Sequence, residues 1–333
     1  MMLRFHWLPG LFIPFAVAAE AAEVTFDPWK QAAEYELEYR VELTPLLTGE
    51  HKSLRVWIPA PAETESQKVK SKEIQSPWPH RQTQDAYGNR CVYLESLAGE
   101  QRGGEVVLRF VVQRLPDDGI KPAAAESDTP LDPKHNLGPL SRIPLDGKVR
   151  ELSEQEGRAC RTDGARIRAY YDYVLRSMRY DKTGTGWGQG DVNWACTAGY
   201  GNCTDFHSLF IGLSRAAHIP ARFVIGFPIA ADKAEGDVAG YHCWAEAYDT
   251  ERGWVRVDAS EAWKSKRYDD YFGHLPSDRV AFTTGRDLVL EPRQEGSPLN
   301  YFIYPYAEVD GRAVDGVPWK LHYRRLGDKS SPK

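Results

Sequence analysis

Residues 201–207 place a cysteine, Cys203, at the point where a glycine-containing loop is predicted to become a helix. The helix is indicated by apolar residues that recur at helical spacing after the cysteine, at Phe206, Leu209, Phe210 and Leu213. A thiol at a helix N-terminus is stabilised as thiolate by the positive end of the helix dipole and by unpaired backbone N–H groups. We therefore predict that Cys203 is a nucleophile rather than an inert buried thiol.

A histidine and an aspartate follow on two segments that alternate like strands, residues 242–248 and 254–258. A symmetric antiparallel register places His242 opposite Asp258, close enough for a carboxylate–imidazole hydrogen bond. A one-residue slip would invert both strand faces, whereas a two-residue slip preserves them and remains open. Cysteine, histidine and aspartate in this order supply a nucleophile, a base and a group that orients the base. The pattern predicts an enzyme.

Three neighbouring side chains compete for roles in this site. His207 lies one helical turn after Cys203 and on the same face, so it is a second candidate for the base. His242 is preferred because it has an aspartate partner and lies on a strand. Cys243 falls on the strand face opposite to His242, so we do not expect it to be the nucleophile. Asp205 is interpreted as a helix cap or loop anchor rather than a catalytic acid.

The glycine-rich segment 184–191 lies between two predicted helices. It lacks the lysine and the spacing of a phosphate-binding P-loop. We expect a flexible flap over the active site, with an ordinary loop as the alternative. Trp187 or Trp194 is a candidate to line the cleft or to donate a hydrogen bond to the oxyanion.

The segment GNCTDFHSLF, residues 201–210, resembles the nucleophile segment of the transglutaminase-like superfamily, and in particular of its bacterial exported members. Residues 241–246 and 254–258 resemble the histidine and aspartate strands of that family. The resemblance implies an α+β fold with a papain-like core, and a catalytic triad of Cys203, His242 and Asp258. It does not fix the reaction, because the family includes glutamine–lysine cross-linkers, peptidases, deamidases and glycan-removing amidases.

We therefore expect a cysteine enzyme that attacks a carboxamide or peptide bond of a peptide or protein substrate through a thioester intermediate. Water is preferred over an amine as the group that resolves the thioester, since nothing in the sequence marks an amine-acceptor site. One alternative is a protein-glutamine gamma-glutamyltransferase that cross-links proteins. Another is a non-catalytic binding module built on the same fold.

This chemistry needs no cofactor and no metal. A zinc site is the rival interpretation, with ligands drawn from Cys196, Cys203, His207, His242 and Cys243. The spacings of these residues match no zinc finger or ribbon pattern, and exported thiols tend to oxidise instead. A net charge of −5 without a basic, aromatic-rich stripe argues against nucleic acid as a partner.

Residues 1–22 have the pattern of a secretory signal peptide. Arg4 supplies the positive charge, residues 8–17 the apolar segment, and residues 19–21 (Ala-Glu-Ala) a small-x-small cleavage site. We expect a periplasmic or secreted protein without membrane attachment after cleavage, the alternative being an uncleaved N-terminal anchor. The oligomeric state is not indicated.

The rest of the chain is predicted to divide into four segments. Strand-like alternation and turn residues indicate a β-sandwich over residues 23–114. Proline-rich residues 115–150 are interpreted as a linker or strap. Residues 151–275 form the catalytic domain, and residues 276–333 a β-rich C-terminal extension.

Export also affects the cysteines outside the nucleophile position. In an oxidising compartment Cys91, Cys160, Cys196 and Cys243 can form up to two disulfides, in three connectivities. The pair Cys196–Cys243 is the first candidate because these residues flank the site in sequence. Four unpaired thiols are an equally weighted alternative.

Overall fold

The structure is a computed structural model, and it describes residues 26–47, 52–97, 103–117 and 133–327. The predicted signal peptide and residues 118–132 of the predicted linker lie outside the described residues. No helix within the described ranges is long and apolar enough to cross a membrane.

The strands of the described residues are, in chain order, β1 Ala33–Glu42, β2 Ser53–Pro59, β3 Gln67–Gln75, β4 His80–Gln84, β5 Arg90–Leu97, β6 Glu105–Arg114, β7 Arg179–Tyr180, β8 Tyr200–Gly201, β9 Ala221–Pro228, β10 Glu235–Asp237, β11 His242–Asp249, β12 Gly253–Val257, β13 Arg279–Thr284, β14 Tyr306–Val309, β15 Arg312–Val314 and β16 Trp319–Leu326. The α-helices are α1 Gly147–Gly157, α2 Asp163–Ser177, α3 Val192–Ala198, α4 Cys203–Ala216 and α5 Ala259–Ser265. Short 3-10 helices span Thr44–Leu47 and Pro133–Asn136.

Each of the two five-stranded sheets combines strands from the N-terminal and the C-terminal parts of the chain. One sheet has the order β10-β16-β1-β6-β3 and the other the order β15-β14-β2-β5-β4. The first forms because β1 alternates completely: Tyr35, Leu37, Tyr39 and Val41 are fully buried, with charged residues between them. β16 pairs with β1 and β14 pairs with β2, both antiparallel. The C-terminal strands therefore belong to the same sheets as the N-terminal strands. The predicted domain limits stay predictions.

The third sheet carries the site. Its strand order is β12-β11-β9-β13, and all neighbours are antiparallel. α4 packs against β11 and β9 and is contacted by the four other helices. Every residue of α4 is buried, as expected for a central helix with an apolar composition. The mixed helices and strands, with β-rich regions on both sides, confirm the predicted α+β class.

The register between β11 and β12 differs from the symmetric one predicted. Glu246 lies opposite Arg256 and Asp249 opposite Gly253, a shift of two residues that keeps both faces unchanged. The turn explains the shift, because Gly253 takes a left-handed conformation, with φ 81°, after a three-residue loop. β12 then ends at Val257, so the prediction that Asp258 lies directly opposite His242 is wrong.

Candidate active site

Cys203 is the first residue of α4, and polar side chains define that helix start. The Asn202 side chain accepts a hydrogen bond from the Thr204 N–H at 2.9 Å, and Asp205 accepts one from the Asn202 N–H at 3.0 Å. The Asn202 side chain also accepts from the Asp205 N–H, and this bond and the one from the Asn202 N–H to Asp205 form a reciprocal capping box. The Cys203 side chain therefore lies at the positive end of the helix dipole, where a thiolate is favoured. Cys203 is only 3% exposed.

Asp258 contacts His242 from the start of α5 rather than from a paired strand position. Asp258 is the N-cap of α5, and its Oδ1 accepts hydrogen bonds from the Glu261 N–H at 2.9 Å and the Ser260 hydroxyl at 3.0 Å. Its Oδ2 lies 2.5 Å from His242 Nε2. Burial raises the pKa of this carboxyl, but the charge and hydrogen bond of His242 outweigh burial and hold the pKa below its usual value. Asp258 is therefore an ionised partner for the imidazole.

His242 connects this carboxylate to the nucleophile. Because Nε2 contacts Asp258, Nδ1 is the ring nitrogen left for another partner. Burial lowers the pKa of His242, but the charge and hydrogen bond of Asp258 and the bond to Cys203 raise it to about 9. Hydrogen bonds from Cys243 and His242 lower the pKa of the Cys203 thiol well below its usual value, against the effect of burial. These opposite shifts favour a thiolate–imidazolium pair over a neutral thiol and imidazole.

His207 is held away from the role of base. Its Nε2 accepts a hydrogen bond from the Ala259 N–H at 3.1 Å, and its Nδ1 lies 3.6 Å from Cys243 Sγ. Complete burial lowers its pKa, so the ring is neutral. The assignment of His242 rather than His207 as the base stays a prediction.

Residues 184–191 are anchored to the site at their C-terminal half. Asp205 accepts hydrogen bonds from the Gly188 N–H at 2.6 Å and the Gly190 N–H at 2.9 Å. Arg286 donates to the Gln189 carbonyl at 2.9 Å and the Gly190 carbonyl at 3.0 Å. The interpretation of Asp205 as cap and loop anchor is confirmed. The expected freely flexible flap is not supported for residues 188–190, because both edges of their backbone are bonded.

The two tryptophans proposed for this region have different surroundings. The Trp187 indole N–H donates to the Gly184 carbonyl at 3.2 Å, within the loop. Trp194 lies on α3 and packs edge-to-face on Tyr200, with ring centroids 5.2 Å apart. Neither contact assigns an oxyanion donor.

Sequence reasoning missed two arginines and a tyrosine around the site. Arg279 lies on β13 with its Nε 4.0 Å from Asp258 Oδ2, and Arg286 follows that strand. The Tyr241 hydroxyl contacts the side chains of Asn202, at 3.2 Å, and Thr204, at 3.0 Å. The arginines follow no motif; Arg279 directly precedes the apolar run 280–282, and Arg286 comes four residues after it.

The chemistry of the donor groups disfavours a metal. In the described part of the chain, the only three potential ligands within 4.8 Å of one another are His242, Asp258 and Glu261. Lys264 Nζ lies 2.6 Å from Glu261, and Arg279 lies near both carboxylates, at 3.8 and 4.0 Å. Two cations at the same carboxylates compete with any metal ion. This group includes none of the cysteines proposed for the rival zinc site.

All five cysteines are unpaired, which corresponds to the alternative of free thiols. Cys243 is fully buried beside Cys203 and His207, whereas Cys196 is a half-buried residue of α3. The Cys196–Cys243 disulfide is therefore not formed.

Residues 150–259 match the family model of the transglutaminase-like superfamily. This range contains Cys203, His242 and Asp258 and ends just after the last of them. The chain therefore carries a transglutaminase-like core, as its motifs predicted.

Similarity to other proteins extends beyond this core. The chain is 27% identical over 324 residues to an uncharacterised protein of Haemophilus influenzae, covering 84% of this chain and 88% of that protein. A solved structure from Cytophaga hutchinsonii, described as a candidate cysteine protease, aligns at 18% identity over 91% of this chain and 94% of that chain, with a TM-score of 0.57. That similarity shows a shared fold across nearly the whole chain. The periplasmic domain of TgpA from Pseudomonas aeruginosa aligns at 16% identity over 68% of this chain and 95% of that domain, with a TM-score of 0.36.

Proposed function

We propose that the protein is a cysteine enzyme that cleaves a carboxamide or peptide bond through a thioester on Cys203. The observation that carries the proposal is the contact between His242 Nε2 and Asp258 Oδ2, at 2.5 Å, on a histidine whose pKa is raised and whose charge lowers the pKa of Cys203. This arrangement makes one ring nitrogen a proton acceptor for the thiol and fixes the other by a buried carboxylate.

The first half of the reaction forms the thioester. The Cys203 thiolate attacks the carbonyl carbon, and the π electrons of the carbonyl move to its oxygen. The backbone N–H of Cys203, at the start of α4, supplies a donor for that oxyanion, and removal of one such donor typically costs ~3 kcal/mol in barrier. As the carbonyl re-forms and the C–N bond breaks, the His242 imidazolium gives its proton to the leaving amine.

The second half releases the acyl group. The neutral His242 takes a proton from water, whose oxygen attacks the thioester carbonyl, and the C–S bond breaks to regenerate the thiolate. Asp258 holds the imidazole in the required orientation and stabilises its positive charge in both halves. If an amine replaces water in this step, the product is an amide and the reaction is acyl transfer. Of the two outcomes, we propose hydrolysis.

The place of action is part of the same proposal. We infer an exported, periplasmic or secreted enzyme from the signal-like pattern of residues 1–22, with a peptide or protein substrate. The domain limits at residues 114, 150 and 275 are also proposals.

An activity screen tests the function. Purified protein is incubated with peptide and glutamine-containing substrates, with and without a primary amine, and Cys203→Ala and Cys160→Ala variants are assayed beside it. Cys160 is a matched control, since it is partly exposed and its Sγ faces a carbonyl within its own helical region.

Three results support the proposal together: release of amine without an added acceptor, inhibition by iodoacetamide, and loss of activity only in Cys203→Ala. Product formation that requires the amine would replace hydrolysis by cross-linking. Equal activity of wild type and Cys203→Ala would remove Cys203 from the reaction. Binding without turnover of any substrate would favour the non-catalytic module.

A further inference from the structure

The imidazole of His207 contacts all three segments that carry the proposed triad. It lies on α4, the helix that begins with the nucleophile, and is fully buried. Its Nε2 accepts a hydrogen bond at 3.1 Å from the backbone N–H of Ala259, the residue that follows Asp258. Its Nδ1 lies 3.6 Å from the Sγ of Cys243, the residue that follows His242. Neither half of the proposed reaction uses this ring.

The nearest partner of Nε2 determines which ring nitrogen of His207 carries the proton. A backbone N–H can only donate, so Nε2 is the unprotonated nitrogen that accepts from Ala259. The Asp258 Oδ1 atom is farther away, at 3.6 Å, which is too long for a hydrogen bond to oxygen. Burial lowers the pKa of His207, so the ring is neutral and its single proton is on Nδ1, beside the Cys243 sulfur.

The bond to Ala259 attaches the start of α5 to α4. The first amides of a helix have no acceptor within that helix, and Ala259 is the first residue of α5. The cap bonds of Asp258, from the Glu261 N–H and the Ser260 hydroxyl, lie within α5 and orient the carboxylate relative to that helix. The bond from Ala259 to His207 instead fixes the start of α5 relative to the neighbouring helix.

We propose that His207 is a positioning residue that holds the start of α5, and with it the Asp258 carboxylate, against His242. The distance to be held is short, 2.5 Å between Asp258 Oδ2 and His242 Nε2. The charge and hydrogen bond of Asp258 raise the pKa of His242, and both effects weaken as the two groups separate. A displacement of ~1 Å in a catalytic group can cost ~10²-fold in rate.

This inference deepens the proposed function, on which its effect on turnover rests, but the position of the carboxylate can be measured without a substrate. The matched variants are His207→Gln and His207→Asn, both polar and uncharged. The glutamine amide reaches the position of Nε2, so it keeps an acceptor for the Ala259 N–H. The asparagine amide reaches only the position of Nδ1, so it loses that acceptor. Thermal unfolding of each full-length variant establishes that folded protein is being measured.

The first measurement is made on the wild-type protein, so it does not depend on the folding of either variant. Nitrogen-15 NMR of histidine-labelled protein distinguishes a protonated from an unprotonated ring nitrogen, and the His207 ring is assigned through its contact with the Ala259 amide. We expect the proton on Nδ1 and none on Nε2 at neutral pH. A proton on Nε2 would overturn the proposal, because that nitrogen could not then accept from Ala259.

The second measurement compares the two variants. Hydrogen exchange at the Ala259 amide should accelerate about tenfold or more in His207→Asn and change little in His207→Gln. The pKa of His242, about 9 in the wild type, should fall by about one unit or more in His207→Asn and stay within about 0.3 units in His207→Gln. Turnover per folded molecule should fall about tenfold to a hundredfold in His207→Asn and less than about threefold in His207→Gln.

Two further results would contradict the positioning role. Equal changes in both variants would mean that the ring acts by packing, not through its bond to Ala259. An unchanged His242 pKa in His207→Asn, despite faster exchange at Ala259, would mean that other contacts hold the carboxylate. The expected pKa difference in a protein that turns over no substrate would support the positioning role and reject only the proposed function.

Discussion

Asp258 Oδ2 lies 2.5 Å from His242 Nε2, although the two residues are not paired across the hairpin that carries them. The contact is possible because Asp258 follows the last residue of β12 and caps α5 with its other oxygen. The helix start therefore orients the carboxylate, and the carboxylate orients the imidazole. The Asp258 side chain thus both caps α5 and orients His242.

We predict that Asp258→Asn separates these two functions. The amide oxygen can still accept from the Glu261 N–H, and asparagine is as good an N-cap as aspartate, so stability should change little. The negative charge that raises the pKa of His242 is lost, and the wrong ring tautomer is favoured. Turnover should fall by several orders of magnitude, on the order of 10⁴-fold. Thermal unfolding and turnover are measured on the same samples.

Asp258→Ala is the matched variant for this prediction, because it removes the cap as well as the charge. It should lose a similar amount of turnover and, in addition, about 1 kcal/mol of stability. A purely structural Asp258 would give the reverse result for asparagine: lower stability, with normal turnover per folded molecule.

A second prediction concerns the relative reactivity of the thiols. Burial raises the pKa of Cys91 to about 12 and that of Cys196 to about 11, so both are protonated at mildly acidic pH. The pKa of Cys203 is lowered well below its usual value, so Cys203 has the larger thiolate fraction at any such pH. Brief alkylation at mildly acidic pH, followed by peptide mapping, should label Cys203 far ahead of Cys91 and Cys196. Preferential labelling of either of those two would contradict the assignment of the nucleophile.

The parts of the site that depend on residues close in sequence could be predicted, whereas contacts between distant segments could not. The start of α4 and its buried face follow from local residues, Asn202 to Leu213, which is why Cys203 was placed correctly. The hairpin was predicted with the right faces but a register shifted by two residues. Both registers bury the same small residues, and only the conformation of Gly253 distinguishes them.

The contacts between distant segments carried no comparable signal. Arg286 reaches back to Gln189 and Gly190, and β16 pairs with β1 across almost the whole chain. Neither contact has a periodicity or a spacing that a single sequence displays. The same holds for His207, whose two ring nitrogens contact Ala259 and Cys243 only after folding.

A third prediction is that the titrations of Cys203 and His242 together add no pH dependence to the stability of the wild-type protein between about pH 6.5 and 8.5. The raised pKa of His242 contributes stability that is complete below about pH 6.5 and is lost as the pH rises toward 9. The lowered pKa of Cys203 contributes stability that is complete above about pH 8.5 and is lost as the pH falls. Between these values the folded pair holds one proton on His242 and the unfolded chain one on Cys203, so the two contributions cancel.

Cys203→Ala removes the thiol titration, so the effect of the raised His242 pKa on the pH dependence of stability can be measured alone. The folded variant keeps a proton on His242, because Asp258 is still adjacent, whereas the unfolded variant has none in this window. The stability of the variant relative to wild type should fall as the pH rises, by up to about 1.4 kcal/mol per pH unit. Urea unfolding of both proteins at several pH values between about 6.5 and 8.5 measures the difference between their free energies of unfolding. Other titrating groups contribute equally to the two proteins, so their contributions cancel in this difference. Parallel curves for the two proteins would show that no thiolate–imidazolium pair exists.

The last prediction concerns the loop beside the nucleophile. Arg286 is 1% exposed and donates to the Gln189 and Gly190 carbonyls and to the Asn300 side chain, at 2.9, 3.0 and 2.9 Å. Arg286→Met removes the printed donor of the Gly190 carbonyl and of the Asn300 side-chain oxygen, whereas the Gln189 carbonyl keeps the Asn300 amide at 3.0 Å. Each orphaned buried group costs about 1–3 kcal/mol. Arg215→Met is the matched control. Arg215 is also buried and donates to two carbonyls, those of Ala221 and Gly138, at 2.8 and 2.7 Å, away from the loop.

Both variants should lose stability. Only Arg286→Met should accelerate hydrogen exchange at the Gly188 and Gly190 amides under native conditions, because it alone removes donors from the carbonyl side of that segment. Equal exchange in the two variants would mean that Asp205 alone holds the loop in place.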